Sequence, residues 1–348
     1  MQNTAAQLTI HTLCCSADGR REESALIVYR ELSSLERDLG VPASTLYAVS
    51  NALEKHYHTV SLPKPDGGCR VLSVPDPLLK MIQRRIVRVL LAPMPVSPYA
   101  MAYRYGAGTV RNAALHAGRL AVLKLDIRHF FDSILYSSVK EAAFPAEIYG
   151  EPLRILLTIL CYYREGLPQG APSSPAISNL VMRTFDDEAA AWCRRRAIRY
   201  TRYCDDLTFS GTFEPEAVIA FVREQLRKRG FFLNEKKTVF VPAGRRQVVT
   251  GIVVNEIPNA PAEYRRGLRQ ELRFCRKFGV SDHMARLGIP ESEEQYLHRL
   301  LGRVNYVLQI TPEKPEFLQA RDWLLRQLSC GGRDRTAARG EIEKEQGG

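Results

Sequence analysis

The stretch "YTRYCDDLTFS", residues 200–210, places two adjacent aspartates, Asp205 and Asp206, between alternating apolar and aromatic residues. Such alternation predicts a buried β-hairpin with both acids at its turn. Like charges held side by side repel, and a carboxylate in a low-dielectric site is costly unless a positive charge compensates it. Divalent cations at the turn would supply that compensation.

A third acid ends another apolar segment. "LAVLKLDIRHFFDSI", residues 120–134, is typical of a buried strand that delivers Asp126. If this strand neighbours the hairpin, three carboxylates converge on one sheet edge, where oxygen ligands select hard cations such as Mg²⁺. Two such ions can clamp the attacking and leaving oxygens of a phosphoryl transfer. A second double aspartate, Asp186–Asp187, falls on a polar helical face, and we expect it to be solvated and not catalytic.

The composition favours a soluble protein with a polyanionic partner. The chain has 348 residues, 49 Lys+Arg against 38 Asp+Glu, and a net charge of +11, which suits nucleic acid better than a membrane. Eight scattered cysteines without a CxxC pair indicate free thiols in a reducing compartment. The first residues lack the pattern of a signal peptide, and no apolar run is long enough to span a bilayer. We therefore expect a cytoplasmic location.

Periodicity along the chain predicts an α+β core followed by a basic helical domain. Helical spacing over 23–56 predicts two short helices, and residues 58–77 predict a β-hairpin. The segment "FFLNEKKTVFV" (231–241) predicts one strand. From Pro261 the pattern is helical and basic, and the Gly- and charge-rich tail 330–348 predicts disorder.

Four segments together resemble the sequence boxes of reverse transcriptases. "YCDD" resembles their YxDD catalytic box, "LDIRHFFDSI" their first metal-binding box, "LPQGAPSSPAISNLV" their template-and-substrate box, and "GFFLNEKKT" their Asn-x-x-Lys-Thr box. The boxes occur in the family's order, and the similarity extends from about Tyr57 to Tyr306. The resemblance implies a right-hand polymerase in which fingers and palm combine an antiparallel sheet with helices and the thumb is helical.

The resemblance also implies domain bounds. The expected parts are an N-terminal helical segment (1–56), fingers (57–119), palm (120–144), a fingers/palm connection (145–185), a second palm segment (186–260), a thumb (261–329) and the tail (330–348).

Within this family the chain looks most similar to bacterial retron enzymes. "NAALH" (112–116) fits the retron pattern Asn-Ala-x-x-His, and "VTG" (249–251) matches the retron Val-Thr-Gly triplet. "LLGRVNYV" (300–307) resembles the thumb helix of retron and group II intron enzymes. Cys204 departs from the Ala of many retrons but keeps a small side chain, so we expect activity to survive.

The resemblance implies a role for each matching residue. Asp126, Asp205 and Asp206 would be catalytic and bind metal with help from the Ile127 carbonyl, and Phe131 would be the steric gate against a ribose 2′-OH. Nucleotide binding is expected of Lys64, Arg70, Phe131, Gln169, Gly170 and Lys237. RNA binding is expected of Asn112, His116, Val249, Thr250, Gly251, Arg265, Arg266, Arg269 and Arg273. Plain alternatives stay open: solvated cations at Lys64, Arg70, Lys237 and the basic helices, and a hydrogen-bonded helical His116.

The resemblance implies an RNA-directed DNA polymerase with two Mg²⁺ ions, for which Mn²⁺ could substitute. Its partners would be dNTPs, a cognate structured non-coding RNA that is both template and primer, and the DNA product. That product would be RNA-linked single-stranded DNA (msDNA), made in anti-phage defence beside a separate effector protein. No membrane partner is expected, and the oligomeric state stays open.

Three other readings remain. The chain could be another bacterial reverse transcriptase, either group II intron-like or of a different phage-defence class. It could be a catalytically silent RNA-binding scaffold on the polymerase fold, or a polymerase that synthesises RNA.

Overall fold

The computed structural model describes residues 10–15, 21–26, 29, 31–63 and 67–329. The chain divides into two compact units. The first comprises Met1–Ala107 and Leu123–Phe240, and the second comprises Gly108–Val122 and Val241–Gly348. Lys64 and the tail 330–348 lie outside the described residues, so the expectations for them stay predictions.

The first unit holds most of the strands. Its helices are α1 (Leu32–Leu39), α2 (Ala43–Asn51), α3 (Pro77–Ile86), α5 (Tyr136–Ala143), α6 (Glu151–Cys161), α7 (Ser174–Val181), α8 (Arg183–Arg194) and α9 (Pro215–Arg227). Its strands are β1 (Ile10–Cys15), β2 (Arg21–Leu26), β3 (Tyr57–Pro63), β4 (Cys69–Pro75), β5 (Ala121–Arg128), β6 (Arg199–Tyr203), β7 (Asp206–Gly211), β8 (Phe232–Leu233) and β9 (Val239–Val241). Strands β5 and β9 each reach across the boundary between the units in sequence.

The second unit is mainly helical. It contains α4 (Thr109–His116), the short strands β10 (Val248–Val249) and β11 (Ile252–Val253), and helices α10 (Ala262–Phe278), α11 (Val280–Leu287) and α12 (Glu293–Ile310). A further helix, α13, covers 315–329. The α+β class and the helical, basic segment after Pro261 are thereby confirmed.

A five-stranded sheet organises the first unit. Its strand order is β6-β7-β5-β8, and β9 also pairs with β5. Strand β5 is buried at six of its eight positions, as expected of a central strand covered on both faces. Strands β6 and β7 form the predicted hairpin, with Tyr203 opposite Asp206 at its end.

The second predicted hairpin is also confirmed. Strands β3 and β4 pair antiparallel from Tyr57↔Pro75 to Pro63↔Cys69. Helix α3 follows at once because Asp76 caps it by accepting a hydrogen bond from the Leu79 amide at 2.8 Å, and Pro77 occupies the first turn.

The two short helices predicted over 23–56 are confirmed as α1 and α2. Residues 23–26 of that segment belong instead to strand β2, which pairs with β1, because apolar residues at Leu26 and Val28 fit a strand period as well as a helical one. One secondary-structure prediction was wrong. The segment 231–241 is not one strand: a 3₁₀ turn at Glu235–Lys237 separates β8 from β9.

Over the described residues, no helix combines the length and apolar character needed to cross a bilayer. Five cysteines of that part, Cys69, Cys161, Cys193, Cys204 and Cys275, carry free thiols.

Candidate active site

The two sequence-distant acidic segments meet at the end of the central sheet. The Ile127 amide of β5 donates a hydrogen bond of 3.0 Å to the Asp205 carbonyl, which fixes the hairpin turn against the strand that carries Asp126. A cleft of about 990 Å³ is lined by Asp126, Asp205, Asp206 and Ile127 among others. Asp126 is 6% exposed, whereas Asp206 is open to the cleft. The expected convergence of three carboxylates is present in the structure.

Lys237 reaches into this acidic cluster. Its Nζ donates a hydrogen bond of 2.8 Å to Asp126 Oδ2, and the neighbouring Asn234 amide donates one of 2.8 Å to the Asp126 carbonyl. The hydrogen bond to Asp126 raises the pKa of Lys237, with smaller contributions from the Asp205 and Asp206 charges. Lys237 is therefore an ammonium ion that partly neutralises the cluster.

Negative charge nevertheless remains in excess. Burial among protein atoms, followed by the charges of Asp205 and Asp126, raises the pKa of Asp206 from 3.8 to about 6, even though its side chain has solvent access in the cleft. A carboxylate whose ionisation is opposed in this way would gain from a nearby cation. The imbalance is the electrostatic signature of a site that accepts positive charge.

A divalent ion fits this donor set in charge and ligand type. Three carboxylates supply only oxygen donors, the ligands that hard cations prefer. No group of three or more His, Cys, Asp or Glu side chains is arranged to hold an ion in the part of the chain described. Lys237 Nζ lies 2.8 Å from Asp126 Oδ2.

The two adjacent phenylalanines have different environments. Phe130 is 4% exposed and belongs to the hydrophobic core, where its ring lies 5.9 Å from that of Phe231. Both phenylalanines line the cleft, but Phe131 is only partly buried. This difference favours Phe131 for the expected steric gate, a role that stays a prediction.

Besides Phe131 and Lys237, three further expected nucleotide-binding residues lie in the first unit. Arg70, an exposed residue of strand β4, and Gln169 both line the cleft. Gln169 Nε2 donates a long hydrogen bond of 3.5 Å to Asp132 Oδ1. The structure explains why residue 170 is a glycine. Its φ is +138°, and a Cβ there would lie 2.8 Å from the Ser73 carbonyl oxygen of β4. The glycine thus allows the β4 backbone to approach closely.

The prediction that Asp186 is solvated was wrong. Asp186 on α8 is fully buried, where it accepts hydrogen bonds from Tyr200 Oη at 2.7 Å and from Arg202 Nη2 at 2.7 Å. Its neighbour Asp187 is half exposed, as expected. The sequence pattern of α8 predicted that both acids face solvent, and only the packing of α8 against β6 determined that Asp186 faces inward.

In the second unit, the Val249–Gly251 segment contacts helix α4, which carries the 112–116 box. Thr250 Oγ1 donates a hydrogen bond of 2.9 Å to the Thr109 carbonyl at the start of α4. Thr250 and Gly251 have φ values of +46° and +81° and form the two-residue turn between β10 and β11, which is the geometry of a type I′ hairpin. The turn therefore lies directly on α4, the helix that bears Asn112 and His116.

Asn112 and His116 are themselves buried. Both side chains are 0% exposed, and so is Val249, whereas Gly251 is exposed. RNA contact by Asn112 or His116 would first require exposure, so their burial favours an indirect role in shaping this surface. The expected RNA-binding function of the five box residues stays a prediction.

Helix α10 presents a basic face. Its buried side is formed by Leu268, Leu272 and Cys275, and the opposite side exposes Arg266, Arg269 and Arg273. A pocket of about 360 Å³ is lined by Arg269, Leu272, Arg273, Arg276, Lys277, Glu316, Phe317 and Ala320. Arg269 is held by Glu316 at 2.9 Å, and the Arg265 Nε donates to the Ala260 carbonyl at 3.1 Å.

Two residues of the cleft region escaped sequence reasoning. Tyr103 lines the cleft, and its Oη donates a hydrogen bond of 3.4 Å to Cys204 Sγ. Arg202 is fully buried one position before the YCDD box. An arginine at an inward position of an apolar strand was a usable signal for Arg202, since a buried charge needs a partner. Nothing in the local pattern marked Tyr103.

Comparison with known proteins agrees with the geometry of the cleft. Residues 62–270 match the family model described as reverse transcriptase (RNA-dependent DNA polymerase). The chain is 34% identical over 321 residues to the retron Mx65 reverse transcriptase of Myxococcus xanthus, covering 85% of this chain and 72% of that one. It is 30% identical over 330 residues to the retron Mx162 reverse transcriptase of the same organism, covering 85% of this chain and 67% of that one.

A solved structure of apo telomerase from Candida tropicalis, truncated from its C-terminal domain, is a more distant neighbour. The TM-score is 0.40 at 14% identity, over 61% of this chain and 58% of the telomerase. The match to the family model covers more than half of the chain and includes the convergent aspartates. The chain belongs to the reverse transcriptase family, and it is an RNA-directed DNA polymerase of the retron type.

Proposed function

We propose that this enzyme reverse transcribes a cognate structured non-coding RNA into single-stranded DNA that stays linked to the RNA. The observation that carries the chemistry is the meeting of Asp126, Asp205 and Asp206 in one cleft. The similarity to retron reverse transcriptases supports the choice of substrate and product.

The metal is proposed to be Mg²⁺, held by Asp126, Asp205 and Asp206 with the Ile127 carbonyl beside them. Bound there, two ions would stabilise the charge that develops on the attacking and leaving oxygens of nucleotidyl transfer. The nucleophile is a terminal 3′-OH during elongation and the 2′-OH of an RNA guanosine at initiation.

The chain's own residues would position the incoming dNTP. Arg70, which lines the cleft, would bind the triphosphate, since a guanidinium can donate two parallel hydrogen bonds to phosphate. Phe131 would exclude a ribose 2′-OH, and Gln169 and Gly170 would line the nucleotide. Lys237 would exchange its contact with Asp126 for the pyrophosphate oxygens, where its ammonium can neutralise the leaving group. Positioning of this kind supplies much of the catalysis in phosphoryl transfer.

The second unit is proposed to bind the cognate RNA. Exposed arginines of α10 would neutralise RNA phosphates and release their counterions, which gives affinity without sequence dependence. The turn at Thr250–Gly251 on α4 would add a contact specific for the structured RNA. A role in anti-phage defence beside a separate effector, and a cytoplasmic location, complete the proposal.

The test is to express the gene together with its flanking DNA and to analyse total nucleic acid from the host. We expect a branched species that migrates faster in a gel after RNase treatment, because only its DNA part remains. Its RNA should map to a short inverted-repeat sequence next to the gene. The same locus with Asp205→Asn should yield none. An active wild-type enzyme that extends oligo(dT) on poly(rA) but gives no branched species would reject the retron product and retain only the polymerase.

A further inference from the structure

Arg202 is the largest fully buried side chain of the described residues, and it lies next to the catalytic turn. On strand β6 it forms a two-pronged ion pair with Asp186 of α8, Nε to Oδ1 at 2.9 Å and Nη2 to Oδ2 at 2.7 Å. Both side chains are 0% exposed. Tyr200 Oη also donates to Asp186 Oδ1 at 2.7 Å, so the carboxylate is held from two sides.

The third nitrogen of Arg202 is directed at the turn itself. Nη1 donates a hydrogen bond of 3.0 Å to the Cys204 carbonyl. Cys204 has a φ of +61°, a left-handed conformation that is unfavourable for a residue with a side chain and persists only where its surroundings enforce it. The next residue, Asp205, is fixed through its own carbonyl by the Ile127 amide at 3.0 Å.

The same guanidinium also organises one wall of the cleft. Arg202 Nη2 donates to Asn179 Oδ1 at 3.1 Å, and Asn179 Nδ2 donates to the Ala102 carbonyl at 2.9 Å. The Met101 amide donates to the Arg202 carbonyl at 2.7 Å. These bonds set the backbone just before Tyr103, whose hydroxyl donates to Cys204 Sγ.

We propose that Arg202, oriented by Asp186, is a positioning residue that holds Cys204 in its left-handed conformation and thereby aims the Asp205 and Asp206 carboxylates into the cleft. A buried ion pair contributes little net stability compared with apolar residues of equal volume, so its value here lies in geometry. Groups that orient metal-binding side chains commonly influence metal affinity and activity by about 10–100-fold. The inference rests on the proposed metal-binding role of the two aspartates.

The experiment compares Asp186→Asn and Arg202→Lys with the wild-type full chain. Mn²⁺ affinity is measured by EPR titration without nucleic acid, and kcat and KM for dTTP are measured on poly(rA)·oligo(dT). We expect both variants to weaken Mn²⁺ binding and lower kcat by about tenfold or more, while KM for dTTP stays within about twofold of wild type, since neither residue is placed to touch the nucleotide.

Arg154 provides a matched control. It is a buried arginine on α6, 6% exposed, that donates to the Phe144 carbonyl and pairs with Glu141 and Glu151, away from the residues that line the cleft. Arg154→Lys should lower Tm comparably to Arg202→Lys and leave Mn²⁺ affinity and kcat unchanged. Equal losses of activity in both lysine variants would assign Arg202 a merely structural role and overturn the proposal.

Two further outcomes are decisive. If Asp186→Asn and Arg202→Lys fail to fold, Tyr200→Phe, which removes one hydrogen bond to Asp186, should still weaken Mn²⁺ binding by about threefold, and an unchanged affinity would reject the proposal. If wild-type protein binds Mn²⁺ but synthesises no DNA, the proposed function fails, while the Mn²⁺ affinities of the variants still decide the positioning role.

Discussion

The two double aspartates of this chain have different environments. Asp186 is buried against Arg202, whereas Asp206 shares the cleft with Asp126 and Asp205. A carboxylate can be buried only beside a partner that compensates its charge. Arg202 supplies that compensation for Asp186, but the pKa of Asp206 stays raised to about 6 by burial and by its acidic neighbours. An individual acid therefore gains its function from its surroundings.

Asp205→Asn should abolish DNA synthesis on a primed RNA template. Loss of one metal-binding carboxylate removes several kcal/mol of transition-state stabilisation, a decrease of about 10³-fold in kcat. Asp187→Asn is the matched control, because Asp187 is half exposed and lies outside the cleft residues; its kcat should stay near the wild-type value. Comparable kcat in wild type and Asp205→Asn would refute the catalytic assignment.

Phe131→Ala should relax sugar selection. Removing a ring that blocks the ribose 2′-OH should lower the ratio of kcat/KM for dTTP over UTP by about 10–100-fold, the range of shape discrimination in a pocket. Phe130→Leu is the control, since Phe130 packs in the core against Phe231; it should lower Tm and leave the ratio unchanged. A selectivity change confined to Phe130→Leu would show that the wrong ring was chosen.

A close backbone contact between a loop and a strand shapes the cleft. The loop that carries Gln169 meets β4 at Gly170, where even one carbon would collide with the Ser73 carbonyl. The family resemblance predicts that Gly170 binds the nucleotide. In the structure the close neighbour is another strand of the protein, so the same residue type answers a packing need.

Gly170→Ala should lower Tm. The Cβ would lie 2.8 Å from Ser73 O at a φ of +138°, a strain of about 1–3 kcal/mol, and each kcal/mol shifts Tm by roughly 2–4 °C in a unit of this size.

Gly267→Ala on α10 is the matched control for Gly170→Ala. Its Cβ meets nothing within 4 Å, and alanine in a helix gains about 0.5–1 kcal/mol over glycine, so Tm should hold or rise. Thermal unfolding followed by circular dichroism measures both variants. An unchanged Tm in Gly170→Ala would contradict the predicted collision.

The net charge of +11 is a property of the whole molecule and favours binding to a polyanion. Part of this charge is concentrated on α10, where Arg273 and Lys277 line a basic pocket. Binding of RNA through such residues should release counterions and depend steeply on salt. Composition alone predicted the polyanionic partner, and the structure adds a surface on which the charge is ordered.

Affinity for an RNA hairpin should fall by about 10³-fold or more between 50 and 200 mM salt if six or more phosphates are contacted. Arg273→Ala should reduce the slope of log K against log salt by about 0.7–0.9, one phosphate contact, as measured by fluorescence anisotropy. Arg37→Ala is the control, since Arg37 is highly exposed and paired with Asp38 on α1; its slope should match wild type. Parallel lines for Arg273→Ala and wild type would exclude α10 from the RNA interface.

Much of the candidate site could be predicted because its signals are local. Alternation around Asp205, the apolar strand that ends at Asp126 and the turn residues of the β3–β4 hairpin each depend on neighbours within a few positions. The prediction of one strand over 231–241 was wrong because a 3₁₀ turn follows Asn234 and separates two strands. The Asn234 amide is held there by a hydrogen bond to the Asp126 carbonyl. That break depends on β5, more than 100 positions earlier.

The sequence by itself determined the α+β class, the acidic boxes and the family, since periodicity and box spacing are properties of the chain read in order. Only the tertiary structure decided that Asp186 is buried against Arg202, that Asn112 and His116 are inaccessible, and that Gly108–Val122 joins the unit formed by the C-terminal residues. These outcomes depend on burial and pairing between residues distant along the chain. Packing in three dimensions creates those contacts, and a local pattern does not contain them.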